Sequence, residues 1–269
     1  MVELFEQDIR DEGRLSSKGN QLKWVNDGVW YKADYTGYEG ISEYIVSKLL
    51  KRSSLKADEY VDYDTEQMHY KYSTYLGCRS ASFLPKGWML ITLERLFQSA
   101  YNHSLNKAVY SMEDCEQRIR FMVEQTTRLT GLVDFGAYMS RLMTIDALFL
   151  NEDRHTHNIA VLMDTDRRFH YCPVFDNGAA LLSDTTVDYP MHVDVYRLFG
   201  NARAKTFSRD FDEQLDIAEK LYGQQLSFDF TYGDVKKLLD EEPYYPEEVK
   251  KRVEDIIMHQ RRKYEYLFN

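Results

Sequence analysis

Three oxygen-bearing side chains stand at telling intervals in the second half of the chain: Asp153, Asn158 five residues on, and Asp176 beyond a further apolar stretch. Two carboxylates and an amide oxygen suit a hard cation such as Mg²⁺, which takes one or two carboxylates and fills its shell with phosphate oxygens. The matching chemistry is phosphoryl transfer from ATP. There one Asp orients an acceptor hydroxyl and takes its proton, while an Asn and a later Asp hold Mg²⁺. The Asp-to-Asn step equals that of the protein-kinase catalytic loop. His155, between them, orders the loop by hydrogen bonding and is not a base. A zinc pair of His155 and His157 is the other reading, but Cys and carboxylate partners at ligand spacing are missing.

These residues need a scaffold, and the pattern around them supplies one. An apolar helix ends near Leu150, and a polar loop carries Asn151, Asp153, His155 and Asn158. Two short apolar runs, 159–163 and 169–175, flank a polar turn at 164–168 and read as a hairpin. Its two ends lie side by side, so the 151–178 block is expected to set Asp153 and Asn158 facing Asp176. Asp134-Phe135-Gly136 spells a kinase metal-binding tripeptide, yet it precedes the Asp153 loop, where the metal-binding Asp must follow it. Asp134 is read as a helix N-cap.

In the first half, residues 10–34 read as a hairpin with turn chemistry at Asn26-Asp27-Gly28. Gly13 and Gly19 flank a small polar loop that either covers a phosphate with its amides or is a plain surface turn. Lys32 ends the strand 29–32. It is either a solvated edge lysine or the lysine that binds ATP phosphates and pairs with a Glu on the following helix. That helix has an apolar period over Ile41, Tyr44, Ile45 and Leu49, with Glu39 and Glu43 as candidate partners. Strands are expected at 59–63 and 68–72, while 77–80 carries no assignable pattern. Residues 88–97 read as a strand entering a connection, either a buried strand or the place where backbone groups bind adenine. Helices are expected from a capping box at Ser111, from Asp134, from a Ser208 cap, after Tyr232-Gly233-Asp234, and from Pro246 in a first turn. Residues 183–207 read as irregular, with Asp184, Asp188 and Asp194 exposed. On the last helix Lys250, Lys251, Arg252, Arg261, Arg262 and Lys263 form a wet face, the alternative being a substrate-binding one.

The order Asp153-x-His155-x-x-Asn158 resembles the HipA family of bacterial serine/threonine kinases and, more distantly, lipid kinases of the phosphatidylinositol class. Ser16, Gly19, Gln21 and Lys23 are similar to the family's phosphate-covering loop, which implies autophosphorylation at Ser16, with Ser17 its neighbour. Ser42-Glu43-Tyr44 looks like the family's Asn-Glu-Tyr, which favours Glu43 over Glu39 as the partner of Lys32. Leu93-Glu94-Arg95-Leu96 resembles Val-Glu-Arg-Phe, which implies adenine contacts by the backbones of Glu94 and Leu96. The resemblance further implies a protein substrate with a Ser or Thr hydroxyl, a toxin-type role, and a small DNA-binding antitoxin. The chain is expected to lack the family's N-terminal subdomain, which a separate protein could supply.

Composition bounds the rest. With 34 basic and 44 acidic residues the net charge is −10, which disfavours a broad nucleic-acid surface. Three scattered cysteines fit a reduced, cytoplasmic protein. The acidic start is unlike a signal peptide, and the most apolar helix is broken by Arg141 and Asp146, so neither export nor a membrane span is expected. The expected fold is α+β: a two-lobed protein-kinase-like structure with a sheet-rich N-lobe over 1–94, a mainly helical C-lobe over 95–269, and ATP with Mg²⁺ in the cleft. Alternatives to a protein kinase are a lipid or small-molecule kinase and a non-catalytic nucleotide-binding module.

Overall fold

A computed structural model describes residues 1–9 and 21–268. Strand β1 is Val2–Leu4; β2 (Lys23–Asn26) and β3 (Val29–Ala33) form the expected hairpin, with Asn26 opposite Val29. The two turn residues, Asp27 and Gly28, both have positive φ (48° and 77°), the tight turn whose twist matches a hairpin. Helix α1 is Glu39–Leu50, followed by β4 (Asp64–Tyr70) and β5 (Ser73–Ala81). The five strands form one sheet in the order β1-β4-β5-β3-β2. Trp24, Tyr31, Ala33, Met68 and Tyr70 pack on one of its faces, with Leu4.

The expected strand at 59–63 is not an element: β4 starts at Asp64, and Val61 and Tyr63 instead bury their side chains against Cys78. The stretch 77–80, which showed no pattern, lies inside the long strand β5 between β3 and β4.

Strand β6 (Met89–Thr92) runs directly into α2 (Leu93–Tyr101), followed by α3 (Leu105–Tyr110), α4 (Cys115–Thr130) and α5 (Phe135–Phe149). The cap of α4 is Asp114, which accepts from the Gln117 amide at 2.8 Å, so Ser111 is not the start of the helix. Gly131 ends α4 in the left-handed conformation at φ 77°. Asp134 occupies the N-cap position of α5, as expected, but its side chain makes no capping hydrogen bond. Strands β7 (Ala160–Met163) and β8 (Phe169–Tyr171) pair antiparallel, and β6 joins them across β7. Last come α6 (Phe211–Tyr222), α7 (Tyr232–Glu241) and α8 (Glu247–Lys263). Asp210, not Ser208, caps α6, since its carboxylate accepts from the Asp212 and Glu213 amides while the Ser208 hydroxyl donates to Glu213. Pro246 sits one place before the first turn of α8, as its N-cap.

Packing divides the chain into two compact units: Met1–Phe83 with Phe175–Ala202 and Ser227–Asn269, and Leu84–Val174 with Arg203–Leu226. The leading segment of the first unit ends at Phe83, and β6 belongs to the second unit, where it is hydrogen-bonded to β7. The wet face expected on α8 holds only in part. Lys250 and Arg252 are buried: Lys250 donates to the Glu242 carbonyl at 2.6 Å, and Arg252 donates to the Tyr189 carbonyl at 3.0 Å. Among the described residues no helix is long and apolar enough to cross a membrane.

Candidate active site

In the first unit the site begins with a close approach of backbones. Gly77 on β5 lies so near β3 that a Cβ there would sit 2.0 Å from the Lys32 carbonyl oxygen. Gly40, in the first turn of α1, lies against Gly77, with 2.4 Å from its hypothetical Cβ to the Gly77 carbonyl carbon. Two glycines in contact let α1 lie directly on the sheet. Glu43 is three residues further along α1 and therefore shares the face of Gly40.

Lys32 sits opposite Cys78 in the β3–β5 register, and its ammonium donates to Glu43 Oε1 at 2.8 Å and to Asp176 Oδ1 at 3.0 Å. The other Glu43 oxygen accepts from the Asn177 amide at 2.8 Å, so one carboxylate ties the lysine to the segment that carries Asp176. The Tyr63 ring lies 5.3 Å from the ammonium. Burial works against the charge of Lys32, but Asp176 and then Glu43 overcome it and hold the pKa well above the ordinary lysine value. Glu39, the alternative partner, serves elsewhere: its carboxylate accepts from the amides of Tyr35, Thr36 and Gly37, closing the loop before α1.

Asp176 has φ 61°, and Leu181 and Leu182 after it are also left-handed at 57° and 54°. Side chains do not adopt this conformation without support. Support comes from α1 and its entry: the Tyr38 hydroxyl donates to the Leu181 carbonyl at 2.7 Å, and the Ser42 hydroxyl to that of Ala180 at 3.1 Å. Residues 183–207 hold no strand or α-helix, only short 3-10 turns at Val195–Arg197 and Phe199–Asn201; Asp188 and Asp194 are exposed as expected, whereas Asp184 is half-buried.

The second unit carries the loop between α5 and β7. Leu150 ends α5 with φ 55°, and the Asn151 amide donates to the Asp146 carbonyl at 2.9 Å. Asn151 Oδ1 accepts from the Asp153 amide at 3.2 Å. Asn158 Nδ2 donates to the Asp153 carbonyl at 3.0 Å and lies 3.3 Å from Asp153 Oδ2, which turns Oδ1, the atom a cation would take, the other way. His155 Nδ1 accepts from the His157 amide at 3.2 Å, a loop-ordering contact, while Nε2 stands 3.7 Å from Asp153 Oδ2.

Beneath the loop, Arg154 is buried and holds Asp146 of α5 through Nε and Nη2 at 3.0 to 3.1 Å. Burial pushes the Asp146 carboxyl up, and the Arg154 guanidinium pulls against it. This anchor fixes the backbone on both sides of Asp153, and sequence reasoning did not single it out.

Also missed was Lys205, whose ammonium donates to Asp153 Oδ1 at 2.6 Å. It lies in a stretch with no periodicity, so no pattern in the sequence marks it.

Glu94 and Leu96 both lie in α2. The Glu94 amide donates to the Thr156 carbonyl at 3.2 Å, and its carboxylate accepts from the Thr156 hydroxyl at 3.0 Å and the Asn106 amide at 2.8 Å. Glu94 thus braces the Asp153 loop. Ser16, Ser17 and Gly19 lie outside the described residues, as does most of the expected phosphate-covering loop. Gln21, at its edge, donates to the Ala33 carbonyl at 2.9 Å.

The fold is kinase-like: α+β, with a five-stranded sheet that carries the lysine, one helix that carries its glutamate, and helices predominating elsewhere. The chain is similar to the crystal structure of a Helicobacter pylori proinflammatory kinase, CtkA, with a TM-score of 0.60 and 15% identity over 97% of this chain and 94% of that one. No protein-family model matches the sequence, and no curated protein does.

Proposed function

We propose that this chain is an ATP- and Mg²⁺-dependent serine/threonine protein kinase of HipA-like type. The observation that carries the reading is the three-way contact of Lys32 with Glu43 and Asp176. A largely buried lysine between a buried Glu43 and a partly exposed Asp176 carries a desolvation cost of several kcal/mol, which a scaffold has no reason to bear. A phosphate-binding centre does have a reason.

In this reading Lys32 neutralises phosphate charge and Glu43 keeps it in place. Asn158 and Asp176 remain the proposed Mg²⁺ ligands, since an amide oxygen and a carboxylate are donors of the kind that ion takes. Bound there, Mg²⁺ would offset charge on the β- and γ-phosphate oxygens. Asp153 orients the acceptor hydroxyl. As that oxygen attacks the γ-phosphorus, the bond to the bridging oxygen breaks and ADP leaves with its electron pair. The hydroxyl proton passes to Asp153. Backbone groups of Glu94 and Leu96 remain the proposed adenine contacts, with the lobe boundary near residue 94. Ser16, with Ser17, remains the proposed autophosphorylation site.

A cytoplasmic location, a toxin-type role and a small antitoxin or subdomain-like partner belong to the same reading, supported by the Asp153-x-His155-x-x-Asn158 order. The rivals are a lipid or small-molecule kinase and a nucleotide-binding module without activity. The test is purified protein with γ-labelled ATP and Mg²⁺, followed by phosphosite mapping. Label on Ser16 or Ser17 that is absent from Asp153→Asn supports a protein kinase. Nucleotide binding with no transfer to any hydroxyl sinks the proposal.

A further inference from the structure

Beside Asp153 runs a strip of chain that follows the loop residue by residue. The Arg203 amide donates to Glu152 Oε1 at 2.7 Å, Lys205 Nζ to Asp153 Oδ1 at 2.6 Å, and the Thr206 hydroxyl to the Arg154 carbonyl at 3.0 Å. Three successive loop positions are thus each met from 203–206.

The strip is itself fixed from behind. Gln214 Oε1 on α6 accepts from the Phe207 and Ser208 amides, both at 3.1 Å, and Arg118 on α4 donates to the Phe207 carbonyl at 2.9 Å. Thr206 is buried with φ 79°, a conformation a β-branched residue adopts only when its surroundings impose it.

An ordinary surface ion pair would not need this framing. The Lys205 side chain is 46% exposed and that of Asp153 13%. Pairs so open to water contribute at most about 1 kcal/mol. The framing therefore serves placement more than stability. Among the described residues Asp153 is the one partner of the Lys205 ammonium, which carries three donors.

We infer that Lys205 is a catalytic residue of the transfer centre: it fixes Asp153 through Oδ1 and directs a second N–H at the oxygens of the phosphoryl group in flight. This rests on the kinase reading above. The two carboxylate oxygens then divide their tasks. Oδ1 is held by the ammonium, and Oδ2, beside Asn158 Nδ2 at 3.3 Å, takes the hydroxyl proton. A positive charge aimed where negative charge develops acts on the transition state more than on bound ATP.

The experiment compares wild type, Lys205→Ala and Lys205→Arg in label transfer from γ-labelled ATP with Mg²⁺ onto the chain itself, with ADP affinity and melting temperature measured alongside. The expected result is a fall of about 10- to 100-fold in the maximal transfer rate of Lys205→Ala. ADP affinity and melting temperature stay as in wild type, and Lys205→Arg recovers a substantial part of the rate. A Lys205→Ala rate within twofold of an active wild type overturns the inference and leaves the kinase reading standing. Loss of rate accompanied by an equal loss of folded protein also overturns it. A wild type that transfers no label overturns both.

Discussion

Gly40 of α1 and Gly77 of β5 meet backbone to backbone, with no room for a Cβ on either: the nearest atoms would lie at 2.4 and 2.0 Å. Because Glu43 shares the helix face of Gly40, this contact sets how far its carboxylate stands from Lys32. Gly77→Ala must push β3 or α1 away, since the obstructing atom is the Lys32 carbonyl oxygen and not a flexible side chain. We expect a loss of about 1–3 kcal/mol in stability, the usual cost of overpacking. ATP affinity should fall further than in a control substitution at exposed Tyr72. Melting curves and nucleotide titration check this, and Gly77→Ala with wild-type values for both would disprove the account.

Lys32→Met tests the charge itself. It leaves Glu43 buried with its ammonium partner gone, and breaking a buried pair from one side costs about 3–5 kcal/mol. Transfer activity should be lost. Glu43→Gln keeps the shape and the acceptor toward the Asn177 amide, so its effect should be smaller on stability than on activity. Denaturant midpoints and transfer rates for the two variants separate these effects; equal stability for all three proteins contradicts the pairing.

Much of this centre was legible in the sequence, and the remainder was hidden for identifiable reasons. The Asn26-Asp27-Gly28 hairpin and the 159–171 hairpin show because turn residues and alternating apolar runs are local signals. Lys32 with Glu39 or Glu43 shows because a strand lysine followed by an amphipathic helix is also local, whereas the choice of Glu43 came from the resemblance of Ser42-Glu43-Tyr44. Gly77-Cys78-Arg79-Ser80 did not show as strand: glycine reads as a turn, whereas here its missing side chain admits a helix. Arg252 was placed on a wet face by its charge, yet it reaches the carbonyls of Tyr189 and Pro190, about sixty residues away in the chain. Lys205 stands in irregular chain, and what gives it meaning is the strip's pairing with 152–154, a long-range register that composition does not carry.

Asp153→Asn should cost about 10²–10⁴ in transfer rate, the range a positioned general base contributes. The amide keeps an oxygen to accept from the Lys205 ammonium, so the loop should stay in place and ATP affinity and melting temperature should change little. Rate and affinity measured on the same preparation decide it; a variant that has lost ATP affinity as severely as rate assigns Asp153 to binding rather than to chemistry.

The Arg154–Asp146 pair gives a contrasting expectation. Both side chains are buried, and Arg154 also donates to the Asn158 carbonyl at 3.3 Å. Asp146→Ala would strand a buried guanidinium, costing about 3–5 kcal/mol and loosening the Asp153 loop above it. The check is thermal unfolding, in which Asp146→Ala should lose far more stability than Asp153→Asn. Comparable melting temperatures would show that the loop does not depend on this anchor.

Asp34 carries the last prediction, which concerns pH. Its carboxylate, just past β3, accepts from the Gly40 amide at 2.6 Å and the Tyr245 hydroxyl at 2.7 Å. Burial raises its pKa to about 7, with Glu39 adding to the rise while the Tyr245 and Gly40 hydrogen bonds oppose it. The unfolded chain titrates this group near 3.8, so between about 4 and 7 the folded state holds a proton that the unfolded state has lost. Stability from this group therefore falls as pH rises through that window and levels off above it. Asp34→Asn is uncharged throughout and removes the dependence. Its melting temperature relative to wild type should climb from pH 5 to pH 8, by several degrees if most of the shift is realised. A difference that stays constant across that range would mean the carboxyl is already ionised in the folded protein at pH 5.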